Sequence, residues 1–162
     1  MNTKVCTKCG RELPHSEFGK HKITKDGLNY WCMECNRERE KIWRATPAGI
    51  YSNIKGRSKF YGGRPVSISK ENFIEWYENA QKVCAYCDVS EEDLPLTKDT
   101  VNARTVKLNI DRIDNPKGYA KNNLVLCCQR CNYIKSDFFS FEEMREIGQR
   151  YVKPRWKIAR EI

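Results

Sequence analysis

Asn109-Ile110-Asp111-Arg112-Ile113-Asp114-Asn115-Pro116-Lys117-Gly118-Tyr119, then after three residues Asn123-Leu124-Val125-Leu126-Cys127, then Cys128-Gln129-Arg130-Cys131-Asn132-Tyr133-Ile134-Lys135-Ser136, is the stretch that decides the fold. Val106, Leu108 and Ile110 alternate, which predicts a strand over 105–110. Asn115-Pro116-Lys117-Gly118 carries the residues of a tight turn. Leu124-Val125-Leu126-Cys127 is a second short apolar strand, and a short helix is expected over 131–136. The order is strand, turn-rich loop, strand, helix. Asp111 and Arg112 sit at the end of the first strand and Asn132 at the start of the helix.

Working outward, this stretch is bracketed by cysteines. Cys84-Ala85-Tyr86-Cys87 precedes it and Cys128-Gln129-Arg130-Cys131 lies within it, with forty residues, 88–127, between the pairs. A metal held by both pairs would clamp the two ends of a long motif. A second set lies near the start, Cys6-Thr7-Lys8-Cys9 and Cys32-Met33-Glu34-Cys35, with twenty-two residues, 10–31, between them. Four thiolates in each set suit tetrahedral zinc, against the rival reading of unrelated knuckles or a redox pair. The ninth cysteine, Cys127, is left over. No apolar segment precedes Cys6, so neither a secretory signal nor a membrane span is expected, and the protein is expected in the cytoplasm of a bacterium or encoded by a phage. In such a compartment paired cysteines bind metal more often than they form disulfides.

Between the two sets the chain reads as helical. Residues 36–44 form a charged helix ending before Thr46-Pro47, and residues 49–61 a second that stops at Gly62-Gly63. Residues 64–68 alternate like a short strand. Ser69 N-caps a helix over 70–81 with Phe73, Ile74, Trp76 and Tyr77 on one face, a core stripe. Residues 91–102 are polar and read as a loop. Ser140-Phe141-Glu142-Glu143 is a capping box opening a last helix that runs to about Tyr151. The expected architecture is α+β, with small zinc-stapled modules around a ββα core. Its parts are residues 1–45 (first zinc module and helix), 46–82 (basic helical and strand region) and 83–162 (ββα module with the second clamp).

The 162 residues carry 30 Lys and Arg against 21 Asp and Glu, a net charge of +9. Such a surplus either solvates the surface or attracts a polyanion, because Lys and Arg release counterions from a phosphate backbone. Basic and aromatic residues gather over 51–64. Lys55, Arg57, Lys59 and Arg64 are the candidate DNA contacts, with Arg57 and Arg64 able to read guanine in bidentate fashion.

A carboxylate and an amide carbonyl, as Asp111 and Asn132 would supply, can hold one divalent cation with water and phosphate in its remaining positions. An arginine beside them, Arg112, can grip the phosphate. With Asn123-Leu124 and Cys128-x-x-Cys131-Asn132-x-x-Lys135, the segment resembles the motif of the HNH (ββα-metal, or His-Me finger) endonucleases. The resemblance implies that Asp111 and Asn132 hold a catalytic Mg²⁺ (or Mn²⁺), that Asn123 ties down the loop, and that the four later cysteines form the zinc clamp.

One position departs from the pattern: Arg112 stands where the family's general-base histidine belongs, and the only histidines are His15 and His21, both in the first zinc module. With Arg there and Gly118-Tyr119 downstream, the motif resembles a restriction-endonuclease branch of the family, and this likeness runs the whole chain to Phe139-Ser140-Phe141-Glu142-Glu143-Met144. It implies a homodimer that cuts double-stranded DNA at a specific sequence, with Arg112 on the phosphate and Tyr119 as nucleophile or proton acceptor. An unperturbed tyrosine has a pKa of about 10, so it needs a cation nearby to act as a base. Tyr119 as a plain turn residue and Asp114 as the base remain open. So do a phage or homing-type nicking enzyme and a non-catalytic zinc-ribbon DNA-binding protein.

Overall fold

Cysteine spacing and hairpin turns, not a long apolar run, organise the first fifty residues. In the computed structural model, which describes residues 2–60, 63–94 and 107–160 (the backbone alone for 60 and 157–160), β1 (Thr3–Val5) pairs antiparallel with β2 (Glu12–Pro14), register Lys4 opposite Leu13. The Cys6–Cys9 knuckle lies in the turn between them, with Gly10 at φ +71°, a backbone glycine adopts freely. A single 3₁₀ turn, His15–Glu17, leads to β3 (Phe18–Lys20), which pairs with β4 (Leu28–Cys32). The long Cys9–Cys32 spacing is thus used by a second hairpin. Helix α1 (Met33–Arg44) starts directly after Cys32. The core here is small: Cys6, Phe18 and Cys32, with Leu13, Leu28, Trp31 and Cys35 packed against it.

The chain divides into two compact units, Met1–Asn53 and Ile54–Ile162, with α2 (Pro47–Phe60) running across the division. The helix expected over 49–61 begins two residues early because Pro47 fits the first helical turn and Thr46 Oγ1 accepts from Gly49 N at 3.1 Å. The expected end of that helix at residues 61 and 62 lies outside the described residues.

In the second unit, α3 (Lys70–Asn79) is capped as predicted, Ser69 accepting from Asn72 N at 3.1 Å. Of the expected core stripe, Phe73 and Tyr77 are buried with their rings stacked 6.1 Å apart, while Ile74 and Trp76 are half-buried. The helix stops at Asn79, two residues short of the expectation, where Lys82 Nζ donates to Tyr77 O. Among the described residues the strand expected over 64–68 is a single parallel bridge, Val66 with Tyr119, since Pro65 has no N–H to extend a ladder.

The ββα element is present. β5 (Asn109–Arg112) pairs antiparallel with β6 (Leu124–Cys127), Asp111 opposite Val125 and Arg112 opposite Leu124. Residues 105 and 106 of the predicted strand, and most of the 91–102 loop, fall outside the described residues. β5 runs through Asp111 and Arg112 instead of stopping before them. Helix α4 (Gln129–Lys135) starts two residues earlier than expected because Cys128 Sγ itself caps it, accepting from Cys131 N at 3.4 Å.

Ser140 and Glu143 form both halves of the capping box opening α5 (Phe141–Ile147). The chain then continues past Tyr151 through a π-helical turn, Gly148–Val152, into α6 (Lys153–Arg160). Pro154 cannot donate a helical hydrogen bond, and a Cβ at Gly148 would come within 2.4 Å of Tyr86 O, so the distortion falls where the helix presses on the second zinc knuckle. The architecture is α+β with two four-cysteine clusters, as expected.

Candidate active site

The first cluster gathers Cys6, Cys9, Cys32 and Cys35, and the second Cys84, Cys87, Cys128 and Cys131, each with all sulfurs within 4.8 Å of one another. Cys6 and Cys35 sulfurs are 3.9 Å apart and those of Cys87 and Cys128 3.7 Å. Four thiolates about 2.3 Å from one zinc sit roughly 3.8 Å apart, so both clusters suit tetrahedral structural zinc. Donors reach the sulfurs as well: Cys32 N to Cys6 at 3.3 Å, and the Trp156 indole to Cys87 at 3.1 Å. The Arg11 guanidinium, donating to Cys9 Sγ at 3.3 Å, holds that thiol below its ordinary range. Cys127 is buried but outside the cluster, and burial, with Asp111 nearby, pushes its thiol well up.

Asp111 is 5% exposed at the end of β5. Its Oδ2 accepts from the Tyr86 hydroxyl at 2.6 Å and pairs with Lys135 Nζ at 3.4 Å. Tyr86 (0% exposed) lies between two zinc ligands, and Lys135 (1% exposed) ends α4. Lys135 Nζ also donates to Arg112 O at 3.0 Å, so one ammonium ties helix to strand. Burial, and then the bond to Asp111, push the Tyr86 phenol above its ordinary range, which keeps it a proton donor to the carboxylate. Neither Tyr86 nor Lys135 was assigned a role from the sequence. An aromatic inside C-x-x-C reads as a turn filler, and only the fold shows which way its hydroxyl points.

Asn132 is half-buried one helical turn before Lys135, hence beside it on the same face of α4. Arg112 is buried, donates to Asn115 O at 3.2 Å, and stacks its guanidinium 5.3 Å from the centre of the Tyr119 ring. Asn123 is buried and makes three bonds across the loop: it donates to Asp114 O and Gly118 O, both at 2.7 Å, and accepts from Asp114 N at 2.8 Å. This amide therefore holds the 114–118 turn in one shape. Gly118 (φ +67°) packs so tightly on Pro65 that a Cβ would sit 2.2 Å from Pro65 O. Tyr119 O in turn accepts from Ser67 N and Ile68 N.

That bridge brings the exposed Arg64 toward the site. Asp137 is held below the ordinary carboxylate range by the Ser136 hydroxyl at 3.0 Å and its own backbone amide, helped by Arg64 and Arg112. Lys55, Arg57 and Lys59 stand exposed along α2. Asp114 pairs with Lys117 at 3.0 Å.

A ββα element closed by a four-cysteine clamp, with an aspartate at the end of its first strand and an asparagine on its helix, is the arrangement that the resemblance to the HNH endonucleases implies. No family model matches the chain, and no curated protein matches its sequence. Among solved structures it is similar to PacI, described as a rare-cutting HNH restriction endonuclease that perturbs its DNA by an extraordinary mechanism: 27% identity over 97% of each chain, TM-score 0.58. The resemblance to HNH endonucleases read from the sequence is borne out by this likeness.

Proposed function

We propose that the protein is a metal-dependent HNH endonuclease that hydrolyses phosphodiester bonds in double-stranded DNA, acting in the cytoplasm as a sequence-specific type II restriction enzyme and as a homodimer. The observation that carries this reading is the buried Asp111 carboxylate, fixed by Tyr86 and Lys135 at the head of a zinc-clamped ββα element. Two symmetric sites suit two strands of a palindromic duplex. Among the described residues no helix is long and apolar enough to cross a membrane.

A carboxylate and an amide carbonyl are hard oxygen donors, so Asp111 and Asn132 fit Mg²⁺ or Mn²⁺. That ion would neutralise charge on the phosphate and the leaving oxygen. Arg112 grips the phosphate; its bond to Asn115 O and its stacking on Tyr119 fix the plane of its donors. Tyr119 takes up the proton of the attacking water, or attacks the phosphorus itself, expelling the leaving oxygen and forming a phosphotyrosine that water then hydrolyses; Asp114 is the alternative base. Asn123 keeps both on one rigid turn.

One observation favours a non-catalytic, zinc-ribbon DNA-binding protein: the Lys135 ammonium already neutralises Asp111. Incubation with plasmid and Mg²⁺ or Mn²⁺ separates the readings. Discrete double-strand products are expected, nicks alone would mean a phage or homing-type nicking enzyme, and intact plasmid across many DNAs with zinc retained would overturn the endonuclease.

A further inference from the structure

Lysine ordinarily keeps its ammonium in water, and Lys135 does not. It is 1% exposed, its Nζ lies 3.4 Å from Asp111 Oδ2, and the same Nζ donates to Arg112 O at 3.0 Å. Its backbone is fixed as well, because Lys135 O accepts from the amides of Phe138 and Phe139 at 3.1 Å. An ammonium buried this deeply loses its partners if it swings away, and leaves Asp111 uncompensated. It is a resident charge of the site, one helical turn from Asn132.

Asp111 is therefore a shared carboxylate. Oδ2 takes the Tyr86 hydroxyl at 2.6 Å in addition to Lys135. Among the described residues Asp111 belongs to no group of three or more His, Cys, Asp or Glu placed to hold an ion. Asp111 and Asn132 offer a divalent cation one carboxylate and one amide, where Mg²⁺ demands a full octahedral set of oxygens. At contact distance the negative charge of the carboxylate is answered by Lys135. Arg112 and the clamp, four thiolates on one Zn²⁺, add charges of opposite sign around it. A phosphodiester supplies what the pair lacks, negative charge and further oxygen ligands.

We propose that Lys135 makes binding of the catalytic cation conditional on DNA: the buried ammonium offsets Asp111, so the ion is held by protein and phosphate together and not by the protein alone. The proposal rests on the metal-dependent reading above. It gives the Lys135–Asp111 pair a use in an endonuclease, where neutralisation by itself favours a binding protein. Lys135 acts here through Asp111, as a positioning residue. The coupling is reciprocal, so cation and DNA raise each other's affinity by the same factor.

Mn²⁺ is the probe, its uptake by the full-length protein read by electron paramagnetic resonance. Wild-type protein without DNA should leave Mn²⁺ free. With plasmid present, uptake should exceed the sum of protein and plasmid measured separately. Lys135→Gln removes the charge and keeps an N–H donor. Without DNA it should bind Mn²⁺ at least about tenfold more tightly than wild type, the scale on which one neighbouring charge shifts an ionic equilibrium. Adding Asp111→Asn to that variant should abolish the gain, which puts it at Asp111. Zinc content and the thermal midpoint show whether each variant is folded, and the wild-type comparison decides alone if Lys135→Gln is not. Equal Mn²⁺ uptake by wild type with and without plasmid overturns the proposal, as does a folded Lys135→Gln that gains nothing. Plasmid cleavage with Mn²⁺ keeps this apart from the reading it rests on. Cleavage with DNA-independent Mn²⁺ binding removes the coupling and keeps the nuclease; DNA-dependent binding with intact plasmid removes the nuclease and keeps the coupling.

Discussion

The Tyr86 hydroxyl donates to Asp111 Oδ2 at 2.6 Å and so joins the second zinc knuckle to the strand end that presents the carboxylate. The knuckle is itself braced from behind. Gln149 Nε2 donates to Tyr86 O at 2.8 Å, and Asp88, at φ +59°, is paired by Arg145 at 2.7 Å and Lys153 at 2.6 Å. The C-terminal helices, the zinc clamp and the carboxylate are therefore one connected structure. Zinc here would position Asp111 as well as staple the fold.

Tyr86→Phe isolates that link. It removes one buried hydroxyl and leaves the ring against Phe141, whose centre is 5.4 Å away. Among the described residues Asp111 then keeps Lys135 as its side-chain partner. Stability should fall by about 1–2 kcal/mol in urea titration, and cleavage by more than the unfolded fraction accounts for, with zinc content unchanged. Wild-type turnover would show that Tyr86 does not orient Asp111.

Asp111→Ala and Asn132→Ala should both abolish cleavage while DNA binding, read by gel shift, persists. The two should differ in stability. Removing Asp111 strands a Lys135 ammonium that is 1% exposed, a loss of about 3–5 kcal/mol for breaking a buried pair. Asn132 is half-buried, and its loss should be milder. Asp111→Asn combined with Lys135→Met should regain part of the stability and none of the activity. A double variant that cuts DNA would remove the metal site from Asp111.

Tyr119→Phe keeps the ring under Arg112 and the backbone bonds to residues 65–68, and deletes only the hydroxyl. With Tyr119 as the proton acceptor, kcat should drop about 100-fold with the thermal midpoint unchanged. Near-normal turnover transfers the role to Asp114, and Asp114→Asn then becomes the inactive variant. Asn123 grips the backbone of residue 114, not its side chain, so that substitution leaves the turn in place.

How much of this was legible in sequence depended on range. Cysteine spacing, the capping box at Ser140 and the Asn123 loop tie are local or motif-bound signals, and the structure places them as read. The missing pieces were long-range. Tyr86 and Asp111 are 25 positions apart, Lys135 and Asp111 are 24 apart, and nothing in either neighbourhood tells that these side chains converge. Helix boundaries slipped for chemical reasons: a thiol capped α4 where a Ser or Asp would announce a start, and Pro47 opened a helix where it had been read only as a stop. The strand read over 64–68 has the right alternation, but its one bridging partner is a turn residue, Tyr119, which offers no strand to pair with.

The two adjacent cysteines at 127 and 128 give the sharpest test of the second clamp. Cys128 Sγ lies 3.7 Å from Cys87 Sγ and caps α4, whereas Cys127 points into the core as a protonated thiol. Cys128→Ala should therefore bind one zinc per chain instead of two and lose cooperative unfolding of the second unit, since zinc binding contributes folding free energy. Cys127→Ala should keep two zincs, leaving only a small void beside β6. Atomic absorption on the purified variants reads the difference directly. Two zincs in Cys128→Ala and one in Cys127→Ala would exchange the assignments, and would move the clamp one residue along the strand, away from the helix that carries Asn132.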